Sequence, residues 1–209
     1  MNGRHFALVP AAGSSSRMGE PKLLMPLAGR PLILHTIEAW QRSKVDGIIV
    51  VVRPDDAALR EVLQTADAAR VEIVIPEVPP ADMKASLQAA LNHIERKYAP
   101  TSDDAFLVAP ADMPRLSTAI INRLIERHAL ESARAILVPT LGGRRGHPVL
   151  FPWCFAAEVH ALGADVGLNM IVDCQQPVLV PCEDLVPSDE YPFADVDTPA
   201  DYRDMTNDK

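Results

Sequence analysis

Residues 6–22, FALVPAAGSSSRMGEPK, decide the fold of this 209-residue chain. The apolar run 6–9 predicts a buried strand, and the small residues 11–16 after it predict a loop where a ligand can approach the backbone closely. In open α/β sheets ligands bind at the carboxyl ends of strands, and loops of small residues present N–H groups to phosphate oxygens. Arg17 and Lys22 add positive charge. The stretch therefore predicts an anion-binding loop; a strand-to-helix turn carrying two solvated cations is the alternative.

Strand-like and helix-like segments alternate along most of the chain. Further apolar runs occupy 48–52, 71–75, 105–109 and 135–138, and helical spacing occurs in 31–42, 55–66, 85–97 and 117–128. Asp55 and Ser117 are the expected N-caps of two of these helices. After residue 139, glycines and prolines break the chain into short pieces. Such alternation is typical of an α/β fold with a mostly parallel sheet covered by helices.

Composition excludes several classes of protein. Hydrophobic residues make up 48% and charged residues 23%, which is typical of a globular chain. A net charge of -8 argues against broad binding of nucleic acid or anionic membrane, and no apolar run approaches the length of a membrane helix. The three cysteines are too widely spaced for a CxxC metal site. We expect a cytoplasmic protein with no nucleic-acid or membrane partner.

Carboxylates follow two further apolar segments. Asp112 comes just after the run 105–109, and Asp195 and Asp197 stand before Pro199 near the C-terminus. Mg²⁺ prefers one or two carboxylates together with waters and phosphate oxygens. Beside an anion-binding loop, these residues predict a Mg²⁺ site, whereas either Asp alone is more typical of a helix cap or turn.

Four segments in order resemble the MobA-like NTP transferase superfamily, and most closely its molybdenum cofactor cytidylyltransferase branch. They are the loop at 8–24, the Asp-Met-Pro segment at 111–114, the Arg-Gly-His-Pro segment at 145–151 and the Asp-rich segment at 195–202. The resemblance spans almost the whole chain. It implies a single three-layer Rossmann-like nucleotidyltransferase domain over residues 1–209, in which 1–115 mainly bind the NTP and 116–209 mainly bind the acceptor.

The implied reaction is Mg²⁺-dependent transfer of CMP from CTP to the terminal phosphate of molybdopterin, with release of pyrophosphate. A molybdoenzyme or its chaperone would be a transient partner. The alternatives are transfer to another acceptor, either GMP from GTP to molybdenum cofactor or a nucleotide to a sugar phosphate. A non-catalytic module that binds a nucleotide or cofactor is a further alternative.

The resemblance also implies roles for individual residues. Lys22, Arg17 and Asp112 would be catalytic, Asp112 and Asp197 would hold Mg²⁺, and Arg145 and His147 would face the acceptor. The nucleotide would be bound by Ala11, Ala12, Gly13, Ser14, Ser15, Met83 and Ser86. Asp82 replaces a glycine of the family's base-recognition segment, and Asn169 stands where related enzymes often carry arginine.

Overall fold

The computed structural model describes residues 3–13, 18–66, 70–163, 165–187 and 191–207. Ten strands lie in these ranges: β1 (His5–Pro10), β2 (Pro26–Leu27), β3 (Arg30–Pro31), β4 (Gly47–Val51), β5 (Val71–Val74), β6 (Ala105–Val108), β7 (Leu137–Leu141), β8 (Arg144–Arg145), β9 (Val149–Pro152) and β10 (Val178–Pro181). The α-helices are α1 (Leu32–Gln41), α2 (Ala57–Gln64), α3 (Met83–Tyr98), α4 (Thr118–His128), α5 (Ala156–Ala161), α6 (Asn169–Cys174) and α7 (Pro199–Asn207).

A mostly parallel sheet forms the middle layer, with strand order β10-β7-β9-β6-β1-β4-β5, and β8 pairs with β7. Strand β1 is central and runs parallel to both β4 and β6, so the loops after these strands meet at one edge. The exceptions are β8, which pairs antiparallel with β7, and β9, which lies antiparallel between β6 and β7. The sequence did not predict the orientation of β9, because a short apolar run carries no information about its direction. β2 and β3 form a separate hairpin.

Alternate residues of the central strands feed two cores, as the period of two in a strand requires. Ala7 and Val9 of β1 pack with α1, α2 and α4 on one face, whereas Phe6 and Leu8 pack with α3, α5 and α6 on the other. The predicted three-layer α/β architecture is confirmed. Within the described ranges, no helix is both long and apolar enough to cross a membrane.

The sequence predicted N-caps for two helices, α2 and α4. Ser117 caps α4, as predicted, by accepting from the Ile120 N–H at 3.4 Å. The cap of α2 is Asp56, which accepts from the Leu59 N–H at 3.0 Å, so the expectation for Asp55 was wrong. An N-cap side chain accepts from an N–H group two or three residues later, and Asp55 lies four residues before Leu59.

Gly146 is where the β8–β9 connection meets the C-terminal segment. Its N–H donates to the Pro139 carbonyl oxygen at 2.9 Å. A Cβ atom at this position would lie 2.2 Å from ring atoms of Phe193. Only glycine therefore lets the two segments approach this closely.

We expect Gly146→Ala to lower the free energy of unfolding by about 1–3 kcal/mol, because the added methyl group overlaps the Phe193 ring. Thermal and urea unfolding would measure the loss. Gly167→Ala is the matched control, since a Cβ there meets nothing within 4 Å. In a Phe193→Ala background, which removes the Cγ and Cδ atoms that the new Cβ would meet, Gly146→Ala should cost less stability than in the wild type. An equal cost in both backgrounds would contradict the proposed overlap.

Candidate functional site

The loop after β1 forms one wall of a cleft at the carboxyl ends of the parallel strands. Ala11 and Ala12 are buried, and the Ala11 N–H donates to the Val51 carbonyl oxygen at 2.9 Å. This bond holds the loop against β4, while Gly13 is exposed. Three other predicted site residues, Ser14, Ser15 and Arg17, lie outside the described residues.

Lys22 connects the two predicted metal ligands. It begins a short 3₁₀ turn, and its Nζ donates to Asp112 Oδ2 and, at 2.9 Å, to Asp197 Oδ1. The side chains of Lys22 and Asp112 are only 15% and 13% exposed. Three residues from distant parts of the sequence, each with a predicted catalytic or metal-binding role, therefore meet in one cluster.

Backbone contacts place the two carboxylates side by side. The Val196 N–H donates to the Asp112 carbonyl oxygen at 3.0 Å, which fixes the C-terminal segment beside the loop after β6. Asp201 Oδ2 accepts from the N–H groups of Asp197, at 3.1 Å, and Thr198, at 2.7 Å. The backbone of Asp197 is therefore held by hydrogen bonds that leave its own carboxylate available to Lys22.

The two carboxylates of this cluster raise the pKa of Lys22. Burial by itself would lower the pKa of Lys22, but hydrogen bonds from its ammonium to Asp112 and Asp197, and the charges of these carboxylates, outweigh burial and raise it. Asp112 Oδ1 is buried, and no described residue offers it a hydrogen-bond donor. An unsatisfied carboxylate oxygen of this kind is costly unless a ligand or cation satisfies it.

The first cleft has a volume of about 330 Å³. It is lined by residues 10–13, 80–83 and 110–112, together with Lys22, Leu23, Arg53 and Ser86. It brings together the predicted residues Ala11, Ala12, Gly13, Met83, Ser86, Lys22 and Asp112. Sequence reasoning missed Arg53, although its place just after β4 matches that of Asp112 after β6.

Arg53 is held in place by its neighbour Asp55. Its Nε and Nη2 atoms donate to the two carboxylate oxygens of Asp55, each at 3.0 Å. This fork fixes a cation in the wall of the first cleft.

Asp82 has a structural task at the start of α3. Its Oδ1 accepts from the Ala85 N–H at 2.7 Å, so the carboxylate caps the helix. Ser86, one turn later, is buried and its hydroxyl donates to the Asp82 carbonyl oxygen at 3.3 Å. Asp82 therefore stabilises the start of the helix that carries Met83 and Ser86 into the first cleft.

A second cleft of about 150 Å³ adjoins the first, and Met83 lines both. Its apolar wall is formed by Leu87, Val108, Val149, Phe151, Leu168 and Val172. Lys84, His147 and Asn169 add polar atoms. Of the two predicted acceptor-binding residues, His147 lines the second cleft and Arg145 does not.

His147 is half-buried and contacts the backbone. Its Nδ1 lies 3.3 Å from the Val108 carbonyl oxygen. Burial lowers the pKa of His147, and this effect outweighs the hydrogen bond and the nearby carboxylates. Arg145, by contrast, lies on exposed β8, where its Nη1 donates to Asp173 at 2.8 Å.

Parts of this sequence are similar to cytidylyltransferases. The chain is 34% identical over 148 residues to 2-C-methyl-D-erythritol 4-phosphate cytidylyltransferase of Dechloromonas aromatica, covering 64% of this chain and 58% of that protein. It is 30% identical over 142 residues to ribitol-5-phosphate cytidylyltransferase of Lactiplantibacillus plantarum, covering 65% and 60%. The matched region therefore spans less than two thirds of these relatives. Both names contain a phosphorylated polyol, whereas the sequence led us to expect molybdenum cofactor as the acceptor.

The fold also has solved counterparts. The crystal structure of Rv0371c from Mycobacterium tuberculosis superposes with a TM-score of 0.75 at 24% sequence identity, and covers 99% of this chain and 98% of that one. This likeness supports the Rossmann-like architecture. Residues 7–178 match the family model of the MobA-like NTP transferase domain. The loop, Lys22 and Asp112 line one cleft, Lys22 contacts the C-terminal Asp197, and the chain belongs to the MobA-like NTP transferase domain family.

Proposed function

We propose that this protein is a nucleotidyltransferase that transfers CMP from CTP to the phosphate of a small phosphorylated polyol and releases pyrophosphate. The observation that carries the proposal is the contact of the Lys22 ammonium with Asp112 and Asp197 beside the backbone loop at Ala11–Gly13. The names of the two cytidylyltransferases described above support both the base and the class of acceptor.

The reaction needs positioning and charge more than proton transfer. An oxygen of the acceptor phosphate forms a bond to the α-phosphorus of CTP, and the bond from that phosphorus to the pyrophosphate oxygen breaks. Because the attacking oxygen is already ionised, no side chain has to remove a proton. The Lys22 ammonium would stabilise negative charge on the phosphates, and the backbone N–H groups of the loop would orient them.

The donor set fits Mg²⁺. Asp112 Oδ1 is buried without a hydrogen-bond donor from the described residues, and Asp197 stands opposite it across Lys22. Among the residues with described positions, no cluster of three His, Cys, Asp or Glu side chains could enclose a metal. Two carboxylates suit an ion that keeps waters and phosphate oxygens as its other ligands. Asp112 and Asp197 would hold Mg²⁺, which would act as a template and Lewis acid on the triphosphate.

Molybdopterin is a second candidate acceptor. The second cleft is walled largely by apolar side chains, among them Phe151 and Leu168, and these would pack against a flat ring better than against a polyol. The resemblance of residues 145–151 to the molybdenum cofactor branch points the same way.

Pyrophosphate release with four nucleotides and three acceptors tests the proposal directly. CTP, GTP, ATP and UTP would each be offered with 2-C-methyl-D-erythritol 4-phosphate, ribitol 5-phosphate or molybdopterin in the presence of Mg²⁺. We expect turnover with CTP and a polyol phosphate. Turnover only with molybdopterin would contradict a polyol phosphate as the acceptor and support molybdopterin instead. Nucleotide binding without turnover on any acceptor would identify a binding module instead.

Asp112→Asn should lower kcat at least about 100-fold, roughly 2.7 kcal/mol, because it removes one charge from the site at nearly constant shape. Steady-state kinetics with the acceptor that turns over would measure the effect. Asp103→Asn is the control, since Asp103 is exposed and lies before β6, at the opposite end of that strand. Equal kcat values for Asp112→Asn and the wild type would remove Asp112 from the reaction.

Lys22→Met should make the protein more responsive to Mg²⁺. The substitution leaves two neighbouring carboxylates without their shared ammonium, so a divalent cation gains affinity and stabilises the folded state by mass action. We expect MgCl₂ to raise the melting temperature of Lys22→Met more than that of the wild type. Lys44→Met, which removes a lysine paired with Glu126, should respond like the wild type. An equal Mg²⁺ response in all three proteins would argue against this metal site.

A further inference from the structure

Lys84 occupies the boundary between the two clefts. It is the second residue of α3, follows Met83, which lines both clefts, and itself lines the second cleft. Its side chain is only 10% exposed. The Nζ atom donates to the Gly163 carbonyl oxygen and lies 3.9 Å from Asp82 Oδ2. A lysine this well buried is held in one place instead of extending freely into solvent.

Lys84 is the cationic side chain among the described residues that line the second cleft. His147 is less well placed for that part. The Val108 carbonyl oxygen only accepts, so His147 Nδ1 donates to it and is not available to a ligand. Arg145 is exposed on β8 and already paired with Asp173.

The proposed transfer brings two anions together at this boundary. The triphosphate would occupy the first cleft, and the acceptor phosphate must come close to its α-phosphorus from the second. Two like charges a few ångströms apart in a partly buried site repel strongly unless a cation lies near them. Lys22 and Asp112 line the first cleft, and Lys22 also contacts Asp197. A second cation on the acceptor side would offset the charge that the acceptor brings.

We propose that Lys84 binds the acceptor phosphate in the second cleft and positions it for attack on the nucleotide in the first cleft. The inference rests on the proposed nucleotidyl transfer, but it requires only that the acceptor carries a phosphate group. The three N–H donors of an ammonium group allow it to hold more than one acceptor, so a phosphate can join or replace the contacts that Lys84 makes, among them that with the Gly163 carbonyl oxygen. Acceptor binding would therefore depend on Lys84, and not on the exposed Arg145.

The test compares anion binding in variants that differ in charge at this position. Lys84→Gln removes the charge but keeps an N–H donor for Gly163, and Lys84→Arg keeps the charge. Lys84→Met serves as a second neutral variant. Lys97→Met is the matched control, because Lys97 belongs to the same helix, is exposed and pairs with Glu72 at 2.7 Å.

Calorimetry would measure the Kd of 2-C-methyl-D-erythritol 4-phosphate and of inorganic phosphate. The first cleft would be filled with α,β-methylene-CTP, which cannot release pyrophosphate. The Kd of this analogue alone reports on the first cleft and on folding. We expect Lys84→Gln and Lys84→Met to weaken both phosphate probes at least about tenfold, as loss of a charged hydrogen bond predicts. The Kd of the nucleotide analogue should change less than about twofold, and Lys84→Arg and Lys97→Met should bind both phosphate probes like the wild type.

Two results would overturn the inference. One is equal affinity of the wild type and both neutral variants for the phosphate probes; the other is no binding of either probe to the wild type. Failure of the proposed function looks different. Phosphate binding that is lost in Lys84→Gln, in a wild type that turns over none of the three acceptors, would contradict the proposed reaction while supporting the role of Lys84.

Discussion

The contact of Lys22 with Asp112 and Asp197 is the interaction on which the rest of the site depends. It joins the loop after β1, the loop after β6 and the segment before α7. The bond from the Val196 N–H to the Asp112 carbonyl oxygen brings two of these segments together through the backbone alone. The charges therefore meet because the chain places them there, and the ammonium offsets a repulsion that would otherwise oppose the fold.

The sheet explains why these segments can meet. Strand β1 lies between β4 and β6 and runs parallel to both, so their following loops converge on the first cleft. The antiparallel β9 lies beside β6 and brings the preceding His147 next to Val108 at the same edge. The antiparallel strand β9 thus contributes Val149 and Phe151 to the wall of the second cleft.

The two clefts differ in the chemistry they can accommodate. The first is bordered by backbone, Lys22 and Arg53, which suits an anionic nucleotide. The second is largely apolar apart from a few polar groups, so the acceptor's phosphate and the acceptor's body would contact different surfaces. Discrimination between acceptors then depends on how the body packs on the apolar wall, whereas the phosphate contact would be common to all of them.

The sequence by itself determined the alternation of strands and helices, the small-residue loop, and the candidacy of Lys22, Asp112 and Asp197 as site residues, because these follow from local periodicity and residue chemistry. The direct contact of Lys22 with both aspartates was not predicted, because it joins residues far apart in the chain. The sequence misplaced the cap at Asp55 by one residue, since capping depends on individual backbone atoms. Only the tertiary structure decided that β9 runs antiparallel, that Arg145 faces solvent and that Lys84 borders the second cleft. The direction of a strand and the neighbours of a side chain depend on contacts between residues distant in sequence, and no local pattern encodes them.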